Sequence, residues 1–338
     1  MKMVFRLDAN NKIGIGHLMR CFALSQELIR RGNECIFYSK ISNDELISKI
    51  EEQNVLVKRI SEDVSIKQDL KDLISYCRYN DVDWVFTDHY GLNEDYIKSI
   101  KQNGLNVFSI DDTVQMYYYS DIVLNQNVDA LDLIYSAEDN TDFLLGPDYV
   151  LLRDELLIRG KKIFNDEVKN VLISFGGADK DNLTYKVLKV LHEKFKDLRF
   201  NVVIGPMNNY YEDFSDFSNR NENIDIFRSP ENIEEIYLNS DIAVGAGGSS
   251  CYEHAYFGIP GVILSTAKNQ VNLSRELDNR GVSIYLGSKE DFNKHRLVNT
   301  FSKVLNDSDM RLDMRDNGLN LIDGLGKVRV VDFLERYV

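Results

Sequence analysis

"MVFRLDANNKIGIGHLMRCFALSQELIRRGNECIFYSK", Met3 to Lys40, decides the fold. It opens on the short apolar run "MVFRLDA" and passes through a loop holding Gly14 and Gly16. Leu18, Cys21, Phe22, Ser25, Leu28 and Ile29 then recur at helical spacing up to Gly32, and "ECIFYSK" returns to strand character. Two strands joined by a helix of this length form a βαβ unit, which requires a parallel sheet.

The same alternation continues outward. A helix near Asn43 to Gln53, the strand "NVLVKRI", a polar helical stretch, "DWVFTDH", a helix near Asn93 to Lys101, "LNVFSID" and "DIVLNQN" complete a first set. After the charged, irregular "RGKKIFNDEVKN" the pattern restarts with "VLISFGG", "RFNVVIG", "NIDIFRS", "DIAVGAG", "GVILST" and "VSIYLG", with helices between them. The expected class is α/β: two doubly wound, Rossmann-like domains facing a cleft, with binding sites at the carboxyl ends of the strands. The boundary is placed at about Lys162, giving domains 1–162 and 163–338. The last helical run, "GKVRVVDFLERYV", is grouped with the second domain, although it can cap either.

Composition narrows the function. The chain has 338 residues, 43% hydrophobic and 28% charged, as expected of a folded globular protein of about two domains. Forty basic against 54 acidic residues give a formal charge of −14, and no Lys/Arg run forms a phosphate-tracking stripe, so nucleic acid is not an expected partner. Charges at Lys2, Arg6 and Asp8 break up the beginning, and no window nears 18 apolar residues. The expectation is a cytoplasmic protein without a membrane partner. Cys21, Cys35, Cys77 and Cys251 show no ligand spacing and are expected to be reduced and buried.

Candidate site residues cluster at predicted strand ends. "GIGHLMR" imitates a dinucleotide fingerprint, but Met19 stands where the third glycine belongs, and no acidic residue ends "ECIFYSK". His17 is either a helix-start residue bonding its own loop or a general base, since an ordinary imidazole titrates near neutral pH. In "FTDHYGLN", Asp88, His89 and Tyr90 can orient a sugar. In "SIDDT", Asp111 and Asp112 can accept from hydroxyls, set the protonation of a histidine, or cap the next segment. A magnesium reading of the aspartates finds no further ligands, so no metal and no cofactor are expected.

In the second half, Gly176 and Gly177 of "ISFGGADKDN" and Gly247, Gly248, Ser249 and Ser250 of "GAGGSSCYEHAYFGIP" lie in strand-to-helix turns. There N–H groups and hydroxyls can meet a diphosphate, or a serine can simply cap the helix. Glu253 can accept from a ribose. Lys268, Asn269 and Gln270 of "AKNQ" open another helix, where an amide can reach a sugar.

Together, "FRLDANNKIGIGHLMRC", "TDHYGLN", "SIDD", "DIVLNQN", "LLGPDYVLLRDE", "SFGGADKDN", "GAGGSSCYEHAYFGIP" and "AKNQ" resemble the UDP-2,4-diacetamido-2,4,6-trideoxy-β-L-altropyranose hydrolases of pseudaminic acid biosynthesis, the PseG family. The resemblance runs from Met1 to about Gly287. It implies a GT-B-like architecture and a monomer that hydrolyses a UDP-sugar at the anomeric carbon, with inversion and without a metal, releasing UDP. It implies His17 as the base activating water, with Gly14 and Gly16 shaping its loop. Tyr90 and Asn269 are expected near the sugar, and Gly176, Gly177, Ser249, Ser250 and Glu253 around UDP; Asp112 and Gly248 are counted with them as substrate- or nucleotide-binding candidates. The competing readings are a GT-B glycosyltransferase with a UDP-sugar donor and a binding module that needs no His17. The short "LIRRG" and the acidic balance favour hydrolysis over a membrane-associated transferase.

Overall fold

The computed structural model describes residues 1–9, 15–41, 43–157, 162–177 and 179–337. The chain divides into two compact units, Met1–Asp154 together with Gly324–Val338, and Glu155–Asp323.

In the first unit the order is β1 (Lys2–Ala9), α1 (Gly16–Arg30), β2 (Glu34–Ile41), α2 (Asp44–Glu51), β3 (Leu56–Arg59), α3 (Ile66–Tyr79), β4 (Trp84–Asp88), α4 (Glu94–Gln102) and β5 (Asn106–Ile110). Then come β6 (Tyr117–Tyr118), β7 (Ile122–Asn125), β8 (Ser136–Ala137) and β9 (Asp142–Leu145). Among the described residues a seven-stranded parallel sheet runs β3-β2-β1-β4-β5-β7-β9. Alternate residues of β1 serve its two faces. Met3, Phe5 and Leu7 join Leu18, Cys21, Leu24 and Leu28 of α1 in one core, while Val4 joins Leu73, Cys77, Tyr96 and Ile100 in the other. The strand β9 and the small β6-β8 pair are not among the sequence expectations. "DFLL" is four residues long and follows the polar "AEDNT", so it carries little strand signal of its own; pairing with β7 makes it a strand.

The second unit contains β10 (Asn170–Ser174), α5 (Leu183–Lys194), β11 (Arg199–Ile204), α6 (Tyr211–Ser218), β12 (Ile224–Arg228), α7 (Ile233–Leu238) and β13 (Ile242–Ala246). It continues through α8 (Ser250–Tyr256), β14 (Gly261–Ser265), α9 (Gln270–Asn279), β15 (Ser283–Ser288), α10 (Lys294–Asn306) and α11 (Ser308–Leu321). The six expected strands form one parallel sheet in the order β12-β11-β10-β13-β14-β15. In each sheet the strand order reverses at one place, between β1 and β4 and between β10 and β13. Ligands of doubly wound sheets bind outside the carboxyl ends at such a reversal.

The final helix, α12 (Gly326–Leu334), corrects the grouping expected from sequence. It belongs to the first unit, because Val330, Val331 and Leu334 are buried in the core that contains Leu24 and Leu28 of α1. The buried Lys327 Nζ donates to Asp154 Oδ1 at 2.5 Å. Unit one therefore ends at Asp154 rather than Lys162 and takes back the chain from Gly324. Leu334→Ala should lower stability by about 2–5 kcal/mol, the range for deleting a buried leucine side chain, as measured by urea unfolding. A loss below about 0.5 kcal/mol would mean that α12 is not part of this core.

Candidate functional site

In the first unit three expected residues come together at the reversal between β1 and β4. His17 lies in the first turn of α1 and is 6% exposed; Asp88 ends β4 and is 1% exposed. His17 Nδ1 and Asp88 Oδ1 are 2.5 Å apart. Arg20, one helical turn beyond His17 on the same face, donates from Nε to Asp88 Oδ2 at 2.6 Å and from Nη2 to Asp88 Oδ1 at 2.5 Å. Burial alone would raise the Asp88 carboxyl, but the charges and hydrogen bonds of Arg20 and His17 outweigh it and hold the group well below the usual carboxylate range. An ionised carboxylate at that distance requires the imidazole proton on Nδ1. The 3.2 Å approach of Arg20 Nη2 to Nδ1 is then side-by-side packing. Among the described residues nothing hydrogen-bonds Nε2, whose lone pair is left for chemistry.

A second bridge closes the cluster. Arg20 Nη1 donates to Asp112 Oδ2 at 3.2 Å, and the Tyr90 hydroxyl donates to the same oxygen at 3.1 Å. The Tyr90 ring meets His17 edge-on, with centroids 4.5 Å apart. Burial and the neighbouring Asp112 push the Tyr90 phenol up, so it remains a donor at neutral pH. The "SIDD" pair divides between two roles. Asp111 is occupied by its own chain, accepting from Thr113 N–H at 2.6 Å, Thr113 Oγ1 at 2.7 Å and Tyr118 OH at 2.9 Å. Asp88, not Asp111 or Asp112, sets the histidine tautomer.

His89 is engaged within the protein. Its Nε2 lies 2.9 Å from Asp8 Oδ2 at the end of β1, and its Nδ1 accepts from Gly91 N–H at 2.8 Å, so both ring nitrogens are taken. The ring ties the loop carrying Tyr90 to the neighbouring strand. Burial would raise Asp8, but the hydrogen bonds from His89 and Arg6 outweigh it and lower the carboxyl from 3.8 to about 2. A depressed pKa stabilises the fold in full above the unfolded value and is lost as pH falls through the folded one. Asp8→Asn should therefore cost stability at pH 6 and progressively less between pH 4 and pH 2, followed by urea midpoints; an equal loss at every pH would contradict this.

Gly14 lies outside the described residues. Gly16 begins α1, and a Cβ there would meet nothing within 4 Å, so no protein contact demands glycine. Arg20 is the residue of this cluster that the sequence reading missed. Its signal was present as the three-residue spacing from His17, which places both on one helix face.

In the second unit the glycine turns flank the other reversal, where Ser174 of β10 pairs with Gly245 of β13. Gly176 has φ +84°, a left-handed turn suited to glycine, and the Gly177 backbone packs against Gly205. A Cβ on Gly247 would lie 1.9 Å from Ser274 Oγ, so this position is fixed by the close approach of α9. Gly248 faces Gln270, whose Oε1 accepts from Thr266 N–H at 2.7 Å. Gln270 thus holds its own turn, and Asn269 beside it is exposed at the N-cap of α9. Ser249 occupies the N-cap of α8 without a side-chain cap, and among the described residues neither the Ser249 nor the Ser250 hydroxyl has a hydrogen-bond partner. The capping alternative is therefore not realised. Glu253, one turn on, accepts at Oε2 from the Tyr237 hydroxyl at 2.6 Å, which fixes its direction. All four cysteines are buried and unbridged. Among the described residues no helix is long and apolar enough to cross a membrane.

Comparison with known proteins extends this geometry. Residues 170–323, nearly the whole second unit, match the glycosyltransferase family 28 C-terminal domain. The chain is 32% identical over 276 residues to the uncharacterized protein MJ1062 of Methanocaldococcus jannaschii, a match covering 78% of this chain and 55% of that protein's length. The spore coat polysaccharide biosynthesis protein SpsG of Bacillus subtilis is 23% identical, covering 97% of this chain and 96% of its own. The UDP-2,4-diacetamido-2,4,6-trideoxy-β-L-altropyranose hydrolase of Campylobacter jejuni is 24% identical, covering 84% of this chain and 98% of its own. Among solved structures, Acinetobacter baumannii MurG superposes with TM-score 0.72 at 14% identity, covering 99% of this chain and 100% of its own. The chain therefore has the GT-B fold of two Rossmann-like domains, carries a glycosyltransferase family 28 C-terminal match in the second of them, and is a distant relative of proteins named as PseG-type hydrolases.

Proposed function

We propose that this protein hydrolyses a UDP-sugar of the 2,4-diacetamido-2,4,6-trideoxyhexose class, UDP-2,4-diacetamido-2,4,6-trideoxy-β-L-altropyranose, in the cytoplasm and as a step of pseudaminic acid biosynthesis. The observation that carries the reading is the His17–Asp88 pair at 2.5 Å, which fixes one tautomer and presents Nε2 as a base. His17 Nε2 takes a proton from water as the water oxygen bonds to the anomeric carbon. The bond from that carbon to the diphosphate oxygen breaks, its electron pair leaves with UDP, and the free sugar has the inverted configuration.

UDP is a good leaving group, so positioning, one base and diphosphate donors suffice. This differs from ordinary glycoside hydrolysis, where two carboxylates serve a poor alkoxide leaving group. The charges of the cluster support the proton transfer. Arg20 against Asp88 and Asp112 leaves one net negative charge, which the imidazolium formed at His17 neutralises. The Gly248–Ser250 turn and the Gly176–Gly177 turn are assigned to the diphosphate, Glu253 to the ribose, and Tyr90 and Asn269 to the sugar. None of these roles needs a metal.

The family 28 match and the MurG likeness favour one second reading, a glycosyltransferase in which the same base deprotonates an acceptor hydroxyl. Incubation of purified protein with the UDP-sugar and EDTA, without an acceptor, separates the two. Continuous release of UDP and inverted free sugar is expected, at a rate that EDTA leaves unchanged. Release only after an acceptor is added would make the protein a transferase, and loss of activity in EDTA would overturn the metal-free mechanism.

A further inference from the structure

Asp112 carries a mismatch that the proton-transfer cluster does not explain. Its Oδ2 already accepts from Arg20 and Tyr90, whereas Oδ1 is buried and, among the described residues, has no hydrogen-bond partner. Buried carboxylate oxygens are regularly paired, and one left open beside the reacting group is an acceptor waiting for a donor. Its neighbour Asp111 shows the contrast, with both oxygens engaged by Thr113 and Tyr118. Arg20 and Tyr90 direct their donors at carboxylates, so a group that only donates fits this place better than a hydroxyl, whose lone pairs would also need donors.

We propose that Asp112 is the specificity residue of the site, its Oδ1 accepting the N–H of an acylamino group on the sugar ring. This rests on the UDP-sugar reading above and deepens it: the preferred substrate must carry an acylamino donor within reach of the His17 face. A site built to hydrogen-bond a group rejects the isostere lacking it far more strongly than an apolar pocket rejects a missing methylene.

The test uses the diacetamido UDP-sugar and two analogues in which the 2- or the 4-acetamido group is replaced by acetoxy. These keep the carbonyl and methyl but lack the N–H. Affinities are measured by calorimetry on a His17→Asn background, so that no turnover is needed. One acetoxy analogue should bind at least about 100-fold more weakly than the parent. Asp112→Ala should reduce that gap to a few-fold. Asp112→Asn should reverse it: Arg20 and Tyr90 hold its oxygen in the Oδ2 position, so its amide N–H₂ faces the ligand and prefers the acetoxy oxygen. A thermal melt of each variant checks folding, and the Asn variant preserves shape if the Ala variant is unstable.

Equal binding of all three sugars, or a gap that survives in both Asp112 variants, overturns the inference. If wild type releases no UDP while the binding pattern holds, the hydrolase reading fails and the specificity assignment stands. Absence of binding by all three sugars overturns both.

Discussion

Asp88→Asn should lower turnover by about 1,000- to 10,000-fold while leaving the fold and UDP binding intact. The volume is unchanged, and the residue ends β4 at 1% exposure, where backbone pairing with β1 sets its position. What changes is the count of acceptors. Arg20 uses both oxygens of Asp88, and His17 Nδ1 shares one of them. An asparagine has one oxygen, and satisfying Arg20 turns its N–H₂ toward His17. The imidazole must then accept at Nδ1 and carry its proton on Nε2, which removes the base. A wrong histidine tautomer of this kind has a cost near 10⁴-fold in triad enzymes. Steady-state kinetics with a thermal melt decide it. Turnover within about threefold of wild type would reduce Asp88 to a structural partner of Arg20.

His17→Ala should reduce turnover at least about 100-fold, the scale for losing a positioned general base. UDP affinity should stay within about twofold, because the residues assigned to UDP belong to the second unit. Residues that act as one unit lose their contributions together, so the His17→Ala, Asp88→Asn double variant should be hardly worse than the more damaged single variant. Activity near wild type in His17→Ala would return His17 to the structural role of a helix-start residue.

The alternation of apolar runs and helical periods made both parallel sheets legible, because each βα unit is a local pattern. The position of His17 was legible for the same reason, since a helix following a strand starts at the sheet's carboxyl edge. The identity of its partner was not. Asp88 ends β4 while Asp111 and Asp112 directly follow β5, and which of them faces α1 depends on the phase of the pleat and the order β1-β4-β5, which is a long-range property. Side-chain phase also split the adjacent aspartates into one self-bonded residue and one facing Arg20. The docking of α12 was hidden by distance in sequence, since Lys327 meets an aspartate 173 positions earlier. In the second unit the sequence located the glycine turns, but only packing distinguished Gly247, beside which the Ser274 hydroxyl of α9 takes the place of a Cβ, from Ser249 and Ser250, whose hydroxyls have no hydrogen-bond partner among the described residues.

The central claim is that His17 directs water to the anomeric carbon. Its most direct test is hydrolysis of the UDP-sugar in water enriched in a heavy oxygen isotope, with products followed by NMR and mass spectrometry. The heavy oxygen should appear in the free sugar, at the anomeric position and with inverted configuration, while UDP stays unlabelled. Label in the UDP phosphate, or no UDP release until an acceptor sugar is supplied, would contradict the account.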